Sequence, residues 1–130
     1  MAGSWTTFSA PSGVKAGSML LLTDGSVLVH DANRPSLGDT YGGKNWYRLI
    51  PDNHGDYKNG TWSSALPMNG QRKYFASGVL MDGRVYVVGG EYSDILGDTD
   101  KTEDHDFRGE IFDPVSGAWS AMNKPSPGMT

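Results

Sequence analysis

The chain has 130 residues, 37% of them hydrophobic, 11% aromatic and 20% charged, with a formal net charge of −4, which is the composition of a globular domain rather than a disordered one. It has no cysteine, excluding disulfides, thiolate metal sites and cysteine nucleophiles. Its longest basic run is the pair Arg72-Lys73, so it lacks the basic stripe of a nucleic-acid reader.

Eighteen glycines among short apolar runs, about twice the usual share of glycine, predict many tight turns and an all-β chain. In chain order, residues 1–17 read as an outer strand around Trp5 and a connection. Strands follow at 18–22, 26–30, 46–50 and 61–66, the first two joined through Asp24-Gly25. The run Met19-Leu20-Leu21-Leu22 is too short to span a membrane. Next comes 74–80, apolar on both faces with small Ala76, Ser77 and Gly78, as suits an innermost strand. Met81-Asp82-Gly83 reads as a hairpin turn, since Asp-Gly supplies the positive φ such turns need. The β-branched run 84–88 reads as a fully buried strand. A third strand, 110–112, ends at Asp113-Pro114, because Pro cannot donate to a ladder. A turn at 115–117 leads to an outer strand over 118–122, and 123–130 is a tail. The opening Met1-Ala2-Gly3-Ser4-Trp5 has neither the basic nor the apolar region of a signal peptide, and the compartment stays open.

These strands form a repeat. Trp5, Trp62 and Trp119 fall at one interval, 62−5 and 119−62 both giving 57. The stretch Leu22-Thr23-Asp24-Gly25-Ser26-Val27-Leu28-Val29 returns 58 residues later as Leu80-Met81-Asp82-Gly83-Arg84-Val85-Tyr86-Val87, identical at five of eight positions. A period near 50 in an all-β chain predicts propeller blades: blade 1 over 18–66 and blade 2 over 67–122. Val85-Tyr86-Val87-Val88-Gly89-Gly90-Glu91, followed by Glu110-Ile111-Phe112-Asp113-Pro114-Val115-Ser116-Gly117-Ala118-Trp119, resembles a kelch repeat: an apolar run into a double glycine, then Phe112 and Trp119 with six residues between them. Over nearly its whole length the chain is similar to bacterial kelch-like propellers related to the galactose-oxidase central domain. The first copy departs from the pattern, with His30-Asp31 read in place of Gly89-Gly90 and a longer loop over 51–60.

A blade buries both faces against neighbours, so two blades leave two apolar faces open. The ring is therefore expected to close either by oligomerisation or through the remainder of a longer protein. The resemblance implies six or seven blades; pairs cannot make seven, so three copies giving six are preferred. Trp5 and Trp119 both claim a fourth-strand position, so one of the two strands is redundant, displaced or swapped between subunits.

Long second-to-third loops at 32–45 and 92–109 place polar and aromatic groups on one rim: His30, Asp31, Arg34, Tyr41, Lys44, Glu91 and Tyr92, with Arg72 on a fourth-to-first turn. The set reads either as a ligand site, aromatic faces and charges suiting a sugar, or as hydrogen-bonding residues that satisfy loop backbone. His30 and Asp31, adjacent on an extended chain, point to opposite faces, so Asp31 is expected to cap a turn and His30 to fill a blade junction. The acidic stretch 98–106 lacks the pattern of a calcium loop and reads as solvated. Asn59-Gly60-Thr61 matches a glycosylation sequon but reads as a turn. The galactose-oxidase resemblance also implies a copper-radical enzyme, which uses a Cys cross-linked to Tyr; this chain has no Cys, and His30, His54 and His105 show no ligand spacing. The expectation is a non-catalytic binding and assembly unit with no cofactor or metal, no nucleic-acid or membrane partner, and itself as first partner. A lectin-like propeller binding a glycan is the alternative, and a remnant of a copper-radical oxidase the third reading.

Overall fold

The structure, a computed structural model, describes residues 2–33, 42–93 and 108–123. It is all-β, with two antiparallel sheets standing face to face like successive blades. Blade 1 holds β1 (Ala16–Leu21), β2 (Val27–Asp31), β3 (Asn45–Ile50), β4 (Thr61–Trp62) and β5 (Leu66–Pro67). Its outermost strand, expected as one piece, is broken into β4 and β5, both paired to β3. Blade 2 holds β6 (Ala76–Val79), β7 (Val85–Val88), β8 (Gly109–Asp113) and β9 (Ala118–Ala121), in sheet order β6-β7-β8-β9.

The two hairpins explain the repeated Asp-Gly. In each, the glycine alone takes positive φ, +84° at Gly25 and +88° at Gly83, a region glycine enters without steric cost. The aspartate instead accepts a backbone N–H two residues on, Asp24 from Ser26 at 2.9 Å and Asp82 from Arg84 at 3.1 Å. Chemically different residues thus share the turn, and the 58-residue offset follows.

Alternation does the rest. In blade 1 it sends Leu20, Leu28, His30 and Trp46 to the face that meets blade 2; Val85, Val87 and Phe112 answer from blade 2. Leu28, Trp46, Val85, Val87 and Phe112 are all fully buried in this junction. Trp46 is its centre: its ring lies 5.6 Å from Trp119, 5.7 Å from Phe75 and 5.0 Å from His30, and Phe112 lies 5.2 Å from Trp119. The repeat had singled out the other tryptophans, and their environments diverge. Trp119 joins the junction and donates its indole N–H to the Leu66 carbonyl at 3.1 Å. Trp62 lies half-buried on the far face of blade 1. Trp5 is 99% exposed and the outer strand expected around it is not formed, because no strand of the described residues lies beside it to pair with.

Two further expectations are corrected. The strand over 84–88 is not fully buried: Val85 and Val87 are, but Tyr86 is half-buried and Val88 is exposed, because their face has no neighbouring sheet. Sheet register also makes His30 the counterpart of Val88, since His30 pairs Trp46 where Val88 pairs Gly109. The double glycine therefore answers to Asp31-Ala32. Gly89 and Gly90 hold φ of +70° and +117°, and a Cβ on Gly90 would stand 2.7 Å from the Lys73 carbonyl.

Trp46→Ala is expected to cost about 3–5 kcal/mol, as for other buried large aromatics, while Trp5→Ala stays within about 0.5 kcal/mol, as for an exposed site. Urea unfolding of the two variants measures both. A Trp46 variant losing no more than the Trp5 variant would remove Trp46 from the centre of the core.

Candidate functional site

Two arginines fix the blades and so define the rim. Arg72, on the turn from blade 1 to blade 2, is fully buried, which corrects its expected place among rim ligands. Its guanidinium donates to Glu110 Oε1 at 2.8 Å and to the Arg108 carbonyl at 2.8 Å. Glu110 in turn accepts from the Asn69 backbone and side-chain amides at 2.7 and 2.8 Å and from the Gly70 N–H at 3.1 Å. A buried carboxylate persists only with this degree of pairing, and the result ties the connecting turn to β8. On the opposite rim Arg48 donates to Ser26 Oγ at 2.8 Å and to the Pro114 carbonyl at 2.9 Å, and pairs with Asp24. Desolvation pushes the Asp24 carboxyl up, but the Ser26 hydrogen bonds and the Arg48 charge outweigh it and hold the group below its ordinary range.

His30 and Asp31 sit together and face apart. The His30 ring lies in the blade junction, 5.0 Å from Trp46 and 4.9 Å from Phe75, and its Nε2–H donates to the Gly43 carbonyl at 2.9 Å. Burial depresses its pKa; the Gly43 carbonyl and the Asp31 charge oppose the shift without cancelling it. Asp31 accepts the backbone N–H groups of Lys15 at 2.9 Å and Asn33 at 3.0 Å, so its carboxylate closes a turn. Lys44 is exposed. Glu91 exchanges two backbone hydrogen bonds with Lys73, at 2.8 and 2.7 Å. Arg34, Tyr41 and the acidic stretch 98–106 lie outside the described residues.

What the structure adds is Lys73-Tyr74-Phe75. Tyr74 and Tyr92 are the two non-glycine residues with positive φ among those described, +56° and +54°. Such backbone costs of order 1–3 kcal/mol and here is held by the Lys73–Glu91 bridge between the two tyrosines. Their rings meet at 6.1 Å, edge to face; Tyr74 is 68% exposed, and Lys73 Nζ stands 4.9 Å above its ring. Beside them opens a cavity of about 220 Å³, lined by Gly17, Ser18 and His30 of blade 1 and by Lys73, Tyr74 and Phe75. The site thus offers aromatic faces, two phenols and one ammonium at the inner end of the blade junction. Of the expected rim residues, it gathers His30 and Tyr92; Arg72 and Asp31 are used elsewhere. Sequence gave no sign of Tyr74, because tyrosine is not a turn residue and the stretch reads as the start of a strand.

The depressed His30 pKa gives a pH dependence. Above the ordinary imidazole pKa of about 6.5 both folded and unfolded chains hold it neutral. As pH falls below that value the unfolded chain takes up the proton first, so stability declines until pH passes the folded pKa. Stability is expected to decline as pH falls through about 6.5, and His30→Gln to flatten that part of the profile. Equal slopes in the parent and variant, from denaturant titrations at each pH, would place the pH dependence on other groups.

Residues 72–126 match a protein family described as the Kelch motif. No curated protein matches the chain. Four chains of solved structures do, among them a fungal alcohol oxidase of the AA5 family in complex with copper, 21% identical with a TM-score of 0.48. That match covers 81% of this chain and 18% of the oxidase, so the chain spans less than a fifth of it. The Arg72–Glu110 pair, the double glycine and all of β6–β9 lie in the matched segment, so the second blade carries the kelch motif, and the first blade repeats its Asp-Gly hairpin and sheet register.

Proposed function

We propose that the chain is a non-catalytic binding and assembly module, a pair of blades completed by further blades. The observation that carries this is the pair of unequal open faces. Alternation places Met19, Leu21, Val27, Val29 and Leu49 on the far side of blade 1; Met19 and Leu21 are about two-thirds exposed, while Val29 and Leu49 are themselves buried. The far side of blade 2 presents Tyr86, Val88 and Ile111. Apolar surface of this kind marks an interaction site, and because the faces differ, copies associate head to tail until a ring closes. Three copies make the preferred ring of six blades.

A second reading concerns the inner rim. Two tyrosines in costly backbone conformations, one ring open to solvent beside a cavity, favour a ligand with C–H faces and hydroxyls, such as a glycan. On a glycan array, binding competed by free sugar and lost in Tyr74→Ala supports it; unchanged binding by the variant moves the ligand off this site.

Light scattering coupled to size-exclusion chromatography over a tenfold concentration range tests assembly. Mass rising toward three protomers is the expected result. A mass fixed at one protomer throughout the range would overturn the assembly reading.

A further inference from the structure

We infer that the segment 6–10 is a plug, occupying the face of blade 1 on which the second blade of another copy would dock; this rests on the assembly reading above. The internal junction supplies the template. There Trp119 Nε1 donates to the Leu66 carbonyl at 3.1 Å, 53 residues earlier. On blade 1, Trp62 Nε1 donates to the Ser9 carbonyl at 3.2 Å, again 53 residues earlier. Relative to blade 1, Ser9 therefore stands where the end of a preceding blade's outer strand stands relative to blade 2. The segment thus occupies the position of a blade edge.

The face beneath it has the matching pattern. By register, Val27, Val29 and Leu49 are the counterparts of Val85, Val87 and Phe112, the residues that blade 2 turns toward blade 1. In the internal junction those three are covered by the sheet of blade 1. On blade 1 their counterparts are roofed by Phe8 and Ala10 over an apolar cavity of about 370 Å³. The cover is incomplete: Phe8 is 47% exposed and Met19 65%.

A second copy carries the piece that fits. The free face of its blade 2 presents Tyr86 where blade 1 presents Leu28, and Val88 where blade 1 presents His30. Docked as in the internal junction, it would bring Asn123, four residues past Trp119 as Leu66 is four past Trp62, to the indole of Trp62. The Ser9 carbonyl already holds that indole N–H. Segment and second copy thus exclude each other, and assembly requires the segment to move aside. This accounts for Trp5: its strand position is equivalent to that of β9, and β9 is anchored in its own junction through Trp119.

The test is Phe8→Ser in the full chain, which removes the apolar roof at a half-exposed site. Light scattering against concentration should show the variant associating at concentrations at least tenfold lower than the parent. As a second readout, Ala16→Cys and Val88→Cys are placed together in both backgrounds, the chain having no cysteine of its own. These positions are the counterparts of Phe75 and His30, which touch across the internal junction, and they lie on opposite outer faces of one chain. A short bismaleimide should therefore yield a ladder of linked copies, stronger with Phe8→Ser. If parent and variant associate equally and both give the ladder, the plug is overturned and assembly stands. Weaker association of the variant likewise overturns the plug, making Phe8 part of the interface. If both stay monomeric at every concentration with no ladder, both readings fail.

Discussion

Trp46 sits where two sheets meet, and nearly everything else in the molecule takes its position from that contact. Its indole touches the rings of His30, Phe75 and Trp119, which come from β2, the entry to β6, and β9. A residue fully withdrawn from water in this way contributes a large share of the apolar burial of so small a domain. It also fixes the separation of the sheets, because interiors pack densely and leave little room for sliding. The inner rim is thus the upper end of a rigid junction.

Charge then fixes the angle that packing leaves open. Arg48 reaches from blade 1 to the Pro114 carbonyl of blade 2, and near the opposite rim Arg72 ties the connecting turn to β8; each donates to a backbone carbonyl as well as to a carboxylate. The planar guanidinium suits such multiple donation better than an ammonium would. Burying the Arg72–Glu110 pair brings little net stability by itself, but breaking it would strand a charge in the interior. With the turn at 69–72 held to β8, the backbone that follows has little freedom, which is how Tyr74 can stay at positive φ.

The described residues form one junction between two blades, so each sheet has one satisfied face. The unsatisfied faces differ: that of blade 1 is aliphatic and roofed by Phe8, while that of blade 2 carries Tyr86 lying over Gly78 and Met122 against Gly109. Unlike faces favour head-to-tail association over a two-fold dimer. In the proposed assembly each new junction would bring a new rim beside it, which links completion of the unit to its rim.

The sequence by itself determined the two hairpins, the repeat and most of the strands, though not the break between β4 and β5 or the lack of a strand around Trp5, because alternation and Asp-Gly turns are local properties that each blade states independently. It also placed His30 at a blade junction and Asp31 in a turn, since adjacent residues of a strand must diverge. It did not show which tryptophan is central: Trp46 stands outside the 57-residue spacing, and its burial depends on three elements far apart in the chain. Arg72 looked like a rim ligand because a charged turn residue usually faces water; only the packing of the turn onto β8 sends it inward to Glu110. The Tyr74–Tyr92 pair was hidden for the same reason, as its backbone is set by a bridge between Lys73 and Glu91 rather than by any preference of tyrosine. Local periodicity thus decided what the elements are, and tertiary contact alone decided which side chains are core, which are clasps and which are left at the rim.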